Sequence, residues 1–249
     1  MMGRRSTVFW SLLAAGGILL GANQWLAARY VTVEPGWVRP AASLVRVQGR
    51  QSRENLLYAV VRLRPAGVVD AVRAAFDPLV ELIPAPGGSL NGPGWEEYGR
   101  QLEQDMDESR AVAVAVALRA LGRRAGEEGL RVGEALLEPP GVDAGEAAVV
   151  GASAGLMMAL EVYAQLHPAG VPARRRIAGT GQLDAGGAVH PVGGVSQKIA
   201  ASAAAGADVF LIPRGNLDDV KNGGSLLIIP VDTFEDALAA LRRLEAVED

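Results

Sequence analysis

Two positions in this 249-residue chain pair residue types that can carry out hydrolysis together: Ser153 in GASAG, and Lys198, 45 residues later, in GGVSQKIAAS. A serine hydroxyl is a poor nucleophile until a neighbouring base takes its proton, and that base can be a histidine or a neutral lysine. Composition singles out the lysine. Of 24 basic residues, 22 are arginine, and only Lys198 and Lys221 are lysines. Arginine keeps its proton at physiological pH, whereas a desolvated lysine amine can lose it. The histidine route is weak, because His167 and His190 sit in no partner motif. With no cysteine there is no thiol nucleophile, thiolate metal site or disulfide framework. Two histidines far apart leave little for a metal cluster, so no metal and no cofactor are expected.

Local sequence favours both roles. Lys198 falls in the first turn of a helix that begins after Gly193 and Gly194 and closes at Gly206, where free N–H groups and the helix dipole disfavour an ammonium. Its apolar neighbours Val195, Ile199, Ala200 and Ala201 can desolvate it. Around Ser153, the small residues Gly151, Ala152, Ala154 and Gly155 let a substrate backbone approach. The helix that starts there offers N–H donors to an oxyanion. Taken singly, each residue has a plainer reading: Ser153 as a serine N-cap, Lys198 as a solvated lysine on a helix.

The elements that must position the pair follow from pattern. Residues 42–49 and 56–64 are rich in β-branched and alternating residues and predict two strands. Residues 67–77 predict a short amphipathic helix, and residues 84–94, dense in proline and glycine, a linker. A long helix is predicted from Trp95 to about Leu121. From about Leu130 the texture turns to short apolar runs separated by glycine, the pattern of an α/β domain. There, GASAGLMMALEVYAQLHPAG predicts a turn into a helix ended by Pro168, and RRRIAGTGQLDAGGAVHPV a hairpin about Asp184–Gly187. VFLIP and LLIIPV predict strands, and residues 232–248 a terminal helix capped by Asp232 or Thr233. Met157 and Met158 are expected in the core, Asp184 as a turn former, Lys221 on the surface.

Thr7 to Leu26 contain no charge and are flanked by Arg4, Arg5 and Arg29. As a helix this stretch is about 30 Å long, the thickness of a bilayer core. The positive-inside rule puts the N-terminus in the cytoplasm and everything after residue 30 outside, as a single-pass cell-membrane protein. A cleaved signal peptide, with small residues at Ala27 and Ala28, is the competing reading. The net charge of −4 and the lack of a long basic run argue against a nucleic-acid surface; Arg174–Arg176 reads as a solvated strand edge.

The segments GASAGLMMALEVY, IAGTGQLDAGGAVHPVGGVSQKIAAS and AGADVFLIPRGN strongly resemble the proteolytic domain of the Lon protease family, from about Pro139 to the C-terminus. The resemblance implies an α/β (α+β) fold of the ribosomal-protein-S5-domain-2-like kind. It implies Ser153 as nucleophile, Lys198 as general base, and Thr180, the threonine of the family's TG motif, as a supporting residue beside the lysine. Two positions depart from the pattern: Ala152 stands where the family usually has proline, and Gln182 where ATP-dependent members have an acidic residue. No G-x-x-x-x-G-K-[ST] phosphate loop occurs, so no ATP is expected. The anchor, VTVEPG after it and the long helix look like the membrane-tethered, ATP-independent bacterial Lon-like peptidases. Their PDZ domain is expected to be missing, since about 15 residues separate Leu121 from the nucleophile approach where roughly 80 would be needed.

The organisation expected is therefore a cytoplasmic tip and anchor at 1–30, a small α/β segment at 31–83, a linker and long helix at 84–129, and a peptidase domain at 130–249. The function expected is a membrane-anchored, ATP-independent serine endopeptidase acting on extracytoplasmic proteins or peptides, with a homo-oligomer or an adaptor protein as the candidate supplier of substrate. The alternative is a catalytically silent, membrane-tethered binding or assembly module that keeps the peptidase fold.

Overall fold

Successive side chains of a strand leave on opposite faces, so the continuous apolar runs at Leu56–Val60 and Val209–Pro213 fill cores on both sides of the main sheet. The computed structural model describes residues 2–88, 93–123, 132–134, 147–149, 151–167, 174–221 and 223–246. In chain order the elements are α1 (Met2–Arg29), β1 (Tyr30–Pro40), β2 (Val45–Val47), β3 (Leu56–Pro65), α2 (Val68–Phe76), β4 (Glu81–Pro84) and α3 (Pro93–Ala120). Then follow β5 (Val132–Glu134), β6 (Ala147–Val149), α4 (Gly155–Leu166), β7 (Ile177–Gly179), β8 (Gln182–Leu183) and β9 (Val189–His190). The chain closes with α5 (Val195–Ala204), β10 (Val209–Pro213), β11 (Leu227–Val231) and α6 (Phe234–Ala246).

The main sheet runs β11-β10-β7-β3-β1-β4, with β6 pairing the far half of β3. Strands β11, β10, β7 and β3 are parallel neighbours, whereas β1 and β4 add antiparallel. On one face, Leu56, Tyr58, Val60, Ile177, Val209 and Leu211 join a core with residues of α3, α4 and α6. On the other, Leu57, Ala178, Phe210 and Ile212 pack with Val195 and Ile199 of α5. Helices thus cover both faces, and α4 and α5, which carry Ser153's turn and Lys198, lie on opposite sides.

Several expectations shift. The strand expected at 42–49 shortens to β2, because Ala41–Ser43 form a 3-10 turn. Strand β1 has no counterpart among the expected elements, because Pro35-Gly36 reads as a breaker. The chain absorbs that pair as a register shift between Pro35 and Val38, and a Cβ on Gly36 would sit 2.5 Å from the Val60 carbonyl oxygen. The stretch expected as a linker from residue 84 starts at the last residue of β4, and α3 already begins at Pro93. Strands of the 31–83 segment share one continuous sheet with β7, β10 and β11. The hairpin is β8–β9 alone, while β7 belongs to the main sheet. Helix α4 ends at Leu166; Pro168, expected to end it, lies outside the described residues, as does most of the approach to Ser153. Thr233 caps α6 reciprocally: its hydroxyl accepts from the Asp236 N–H at 3.1 Å while the Asp236 carboxylate accepts from the Thr233 N–H at 3.0 Å.

Candidate active site

Residues Ala152–Ala154 make one turn of 3-10 helix that runs straight into α4, a geometry that small side chains permit. Ser153 sits in that turn and caps nothing: neither the 3-10 turn nor α4 has a side-chain cap. Its carbonyl oxygen accepts from the Gly181 N–H at 2.8 Å and from the Thr180 hydroxyl at 3.0 Å. The TG pair that follows β7 therefore grips the backbone of the turn. Thr180 itself is tied to β10 through its N–H and the Leu211 carbonyl, at 3.1 Å, which places it at the carboxyl end of a parallel strand.

Lys198 reaches the same point from the other face of the sheet. Its Nζ lies 3.0 Å from Ser153 Oγ and 3.2 Å from Thr180 Oγ1, and the residue is only 3% exposed. Burial lowers its pKa from the ordinary lysine value to about 8, because desolvation disfavours the ammonium. About a tenth of such amines are then neutral at pH 7 and able to accept a proton.

What aims Lys198 is the loop before α5. Gly194 adopts φ +67°, a left-handed turn that favours glycine, and a Cβ there would lie 2.5 Å from Val61 Cγ1 of β3. Asn216, buried and given no role by the sequence, holds that loop: its Oδ1 accepts from the Val192 N–H at 2.9 Å and its Nδ2 donates to the Val192 carbonyl at 3.0 Å. Ser109 was missed altogether. It lies buried on α3, its hydroxyl donates to the Ala152 carbonyl at 3.1 Å, and a Cβ on Gly155 would stand 2.8 Å from its Oγ. A signal existed: Ser109 is the small polar residue in an apolar stripe that includes Met106, Ala113, Val116 and Ala117.

The remaining singled-out residues lie in plainer settings. Met157 and Met158 are fully buried in the core. Asp184 accepts from the Ala188 N–H at 2.9 Å within the hairpin turn and meets His190 Nε2 at 2.9 Å. Lys221 is exposed, its amine 3.3 Å from the Pro78 carbonyl. The Arg174–Arg176 edge is tied through its backbone, the Arg176 N–H donating to Asp208 at 2.7 Å. Among the described residues no group of three or more His, Asp or Glu side chains could hold a metal ion.

Residues 90–241, more than half of the chain, match the Lon protease (S16) C-terminal proteolytic domain. The chain belongs to that family. The match begins at residue 90 rather than near Pro139, so α3, with Ser109, is part of the Lon domain. Among curated relatives, an archaeal Lon protease of Archaeoglobus fulgidus is 38% identical over 94 residues, which are 36% of this chain and 15% of that protein. One of Halobacterium salinarum is 40% identical over 101 residues, 39% of this chain and 14% of that protein. A Lon protease 2 of Herpetosiphon aurantiacus is 36% identical over 132 residues, covering 53% of this chain and 16% of the relative. The chain thus matches about a seventh of the length of these Lon proteins.

Proposed function

We propose that this protein is a membrane-anchored, ATP-independent serine endopeptidase in which Ser153 is the nucleophile, Lys198 the general base and Thr180 a positioning residue. The observation that carries the reading is the 3.0 Å approach of a buried, pKa-lowered amine to Ser153 Oγ. Ser153 Oγ attacks the carbonyl carbon of a peptide bond as its proton passes to Lys198 Nζ. The C–N bond then breaks and Lys198 returns the proton to the leaving amine. Lys198 next takes a proton from water, whose oxygen attacks the acyl-serine ester, and Ser153 leaves with that proton restored. Charge that develops on the carbonyl oxygen is favoured beside the amino-terminal end of α4. Thr180, bonded to both partners, keeps the amine on the hydroxyl.

Residues Val8–Arg29 of α1 are long and apolar enough to cross a bilayer, and among the described residues none of their apolar window is buried. Arg4 and Arg5 before it and the positive-inside rule support a cytoplasmic N-terminus and an extracytoplasmic peptidase domain. Retention of α1, rather than removal as a signal peptide, is supported by the bond from the Val68 N–H to Asn23 Oδ1 at 3.0 Å, which knits α1 to the folded part. The substrates are proteins or peptides on that side of the membrane, supplied by a homo-oligomer or an adaptor.

The test is cleavage of an unstructured fluorogenic peptide by the full-length chain in lipid nanodiscs, without ATP. Ser153→Ala and Lys198→Arg are expected to lower kcat by about 100-fold or more. Full activity in both variants overturns the mechanism, and no cleavage by the parent chain favours the silent binding module instead. Orientation is read separately by labelling Arg242→Cys in intact cells with an impermeant maleimide, since the natural chain contains no cysteine.

A further inference from the structure

Helix α2 is built inside out. In a helix on the surface of a water-soluble domain the apolar stripe faces the core and the charges face solvent. In α2 the reverse holds. Asp70 is 6% exposed and accepts hydrogen bonds from the Arg64 guanidinium of β3, one at 3.0 Å, and from the Gly67 N–H at 2.8 Å. Arg64 also grips Glu34 of β1 at 3.1 and 3.2 Å, and Arg73 of α2 reaches the same carboxylate at 2.8 Å. This ion network fastens the polar side of α2 to the sheet. The opposite side carries Val69, Val72 and Phe76, spaced three and four residues apart on one face and 70%, 56% and 84% exposed.

The face is continuous with α1. The Val68 N–H at the start of α2 donates to Asn23 Oδ1, and a Cβ on Gly67 would lie 2.6 Å from that oxygen, so glycine is what lets the two helices meet. Asn23 lies six residues before the end of α1, about 9 Å along its axis. Trp25, two residues on and half exposed, and Arg29 mark the level where an apolar helix leaves hydrocarbon for headgroups. The amino-terminal end of α2 is therefore at headgroup depth wherever α1 spans.

We infer that α2 is an interfacial helix that lays Val69, Val72 and Phe76 into the outer boundary of the bilayer beside α1, the occupant of this face being lipid acyl chain. The inference rests on the reading of α1 as a membrane span. It gives the peptidase domain a second membrane contact, one that fixes its rotation about α1 as well as its height. An amphipathic helix of this kind buries its apolar side about 5–10 Å into the boundary region.

The absence of cysteine makes the test direct. Single cysteines replace Leu13, Val69, Val72, Phe76 or Arg242 in the full-length chain, each carries a nitroxide, and the chains are placed in phosphatidylcholine–phosphatidylglycerol nanodiscs. Collision with oxygen against a water-soluble nickel chelate reads depth. Labels at 69, 72 and 76 are expected to favour oxygen, as at Leu13, whereas Arg242 favours nickel. Oxygen preference at Leu13 with nickel preference at 69, 72 and 76 overturns the inference and leaves the span standing. Nickel preference at Leu13 removes the span, and the inference falls with it. Spin–spin broadening between copies labelled at Phe76 overturns the inference in favour of a second chain on this face.

Discussion

Replacing Lys198 with methionine tests whether the amine is held in the fold at a cost. A lysine of ordinary pKa 10.5 that titrates at about 8 when folded destabilises the fold wherever the unfolded chain would be protonated. The sign is fixed by the direction of the shift: the penalty is full below about pH 8 and gone above about pH 10.5. At 1.36 kcal/mol per pKa unit it amounts to about 3 kcal/mol at pH 7. Methionine removes that penalty while roughly filling the space, but it forfeits the bonds from Nζ to Ser153 Oγ and Thr180 Oγ1, at about 1 kcal/mol each. Lys198→Met is therefore expected to be inactive yet more stable than the parent by about 1 kcal/mol at pH 7, and less stable by about 2 kcal/mol at pH 10.5. Urea unfolding of both full-length chains in nanodiscs, followed by tryptophan fluorescence from pH 7 to 10.5, measures the difference. Every other titrating group is common to the two chains and cancels. A stability difference that stays flat across that range would refute the buried, neutral-leaning amine.

Four further outcomes follow from the same geometry. With the neutral amine as the proposed base, kcat/KM of the parent chain is expected to rise about tenfold per pH unit well below 8 and to level off above it, as read by steady-state kinetics. Thr180→Val removes the hydroxyl that meets both Lys198 and the Ser153 carbonyl; kcat should fall about tenfold with KM little changed, and Thr180→Ser should recover most of it. Ser109→Ala leaves the Ala152 carbonyl without that donor, which should cost about 1 kcal/mol in urea unfolding and reduce kcat several-fold. Gly194→Ala must take φ +67° and drive a methyl into Val61, so a loss of about 2 kcal/mol or more, with lower kcat, is expected by unfolding and kinetics.

Where local pattern and final environment agree, the chain could be read directly. The alternating run at Leu56–Pro65, the glycine-bounded helix of Lys198 and the strand VFLIP each form at nearly the expected residues, since each packs its apolar positions as their spacing demands. The candidate nucleophile and base were legible for a different reason: their residue types are chemically distinctive against an arginine-rich background. Positions whose meaning is relational were not legible. Strand β1 is interrupted by Pro35-Gly36 and exists because β3 and β4 pair with its two edges. Ser109 looks like an ordinary small residue until α3 is laid against the turn of Ser153. Helix α2 was expected at the right place, but a moment in sequence does not say which side faces inward. The ion network that holds the buried carboxylates of Glu34 and Asp70 with Arg64 and Arg73, scattered across three elements, reverses the usual answer.

Helix α1 ends at Arg29 and strand β1 begins at Tyr30, with no residue between them. A flexible tether of twenty residues would let a domain wander about 25 Å from its anchor point. Here the wandering radius is nil, because α1 runs directly into β1, which lies between β3 and the edge strand β4 of the main sheet. With α1 in a bilayer, Ser153 and Lys198 would stand at one fixed altitude, so in the proposed reaction a scissile bond would qualify by its distance from the membrane as much as by its sequence.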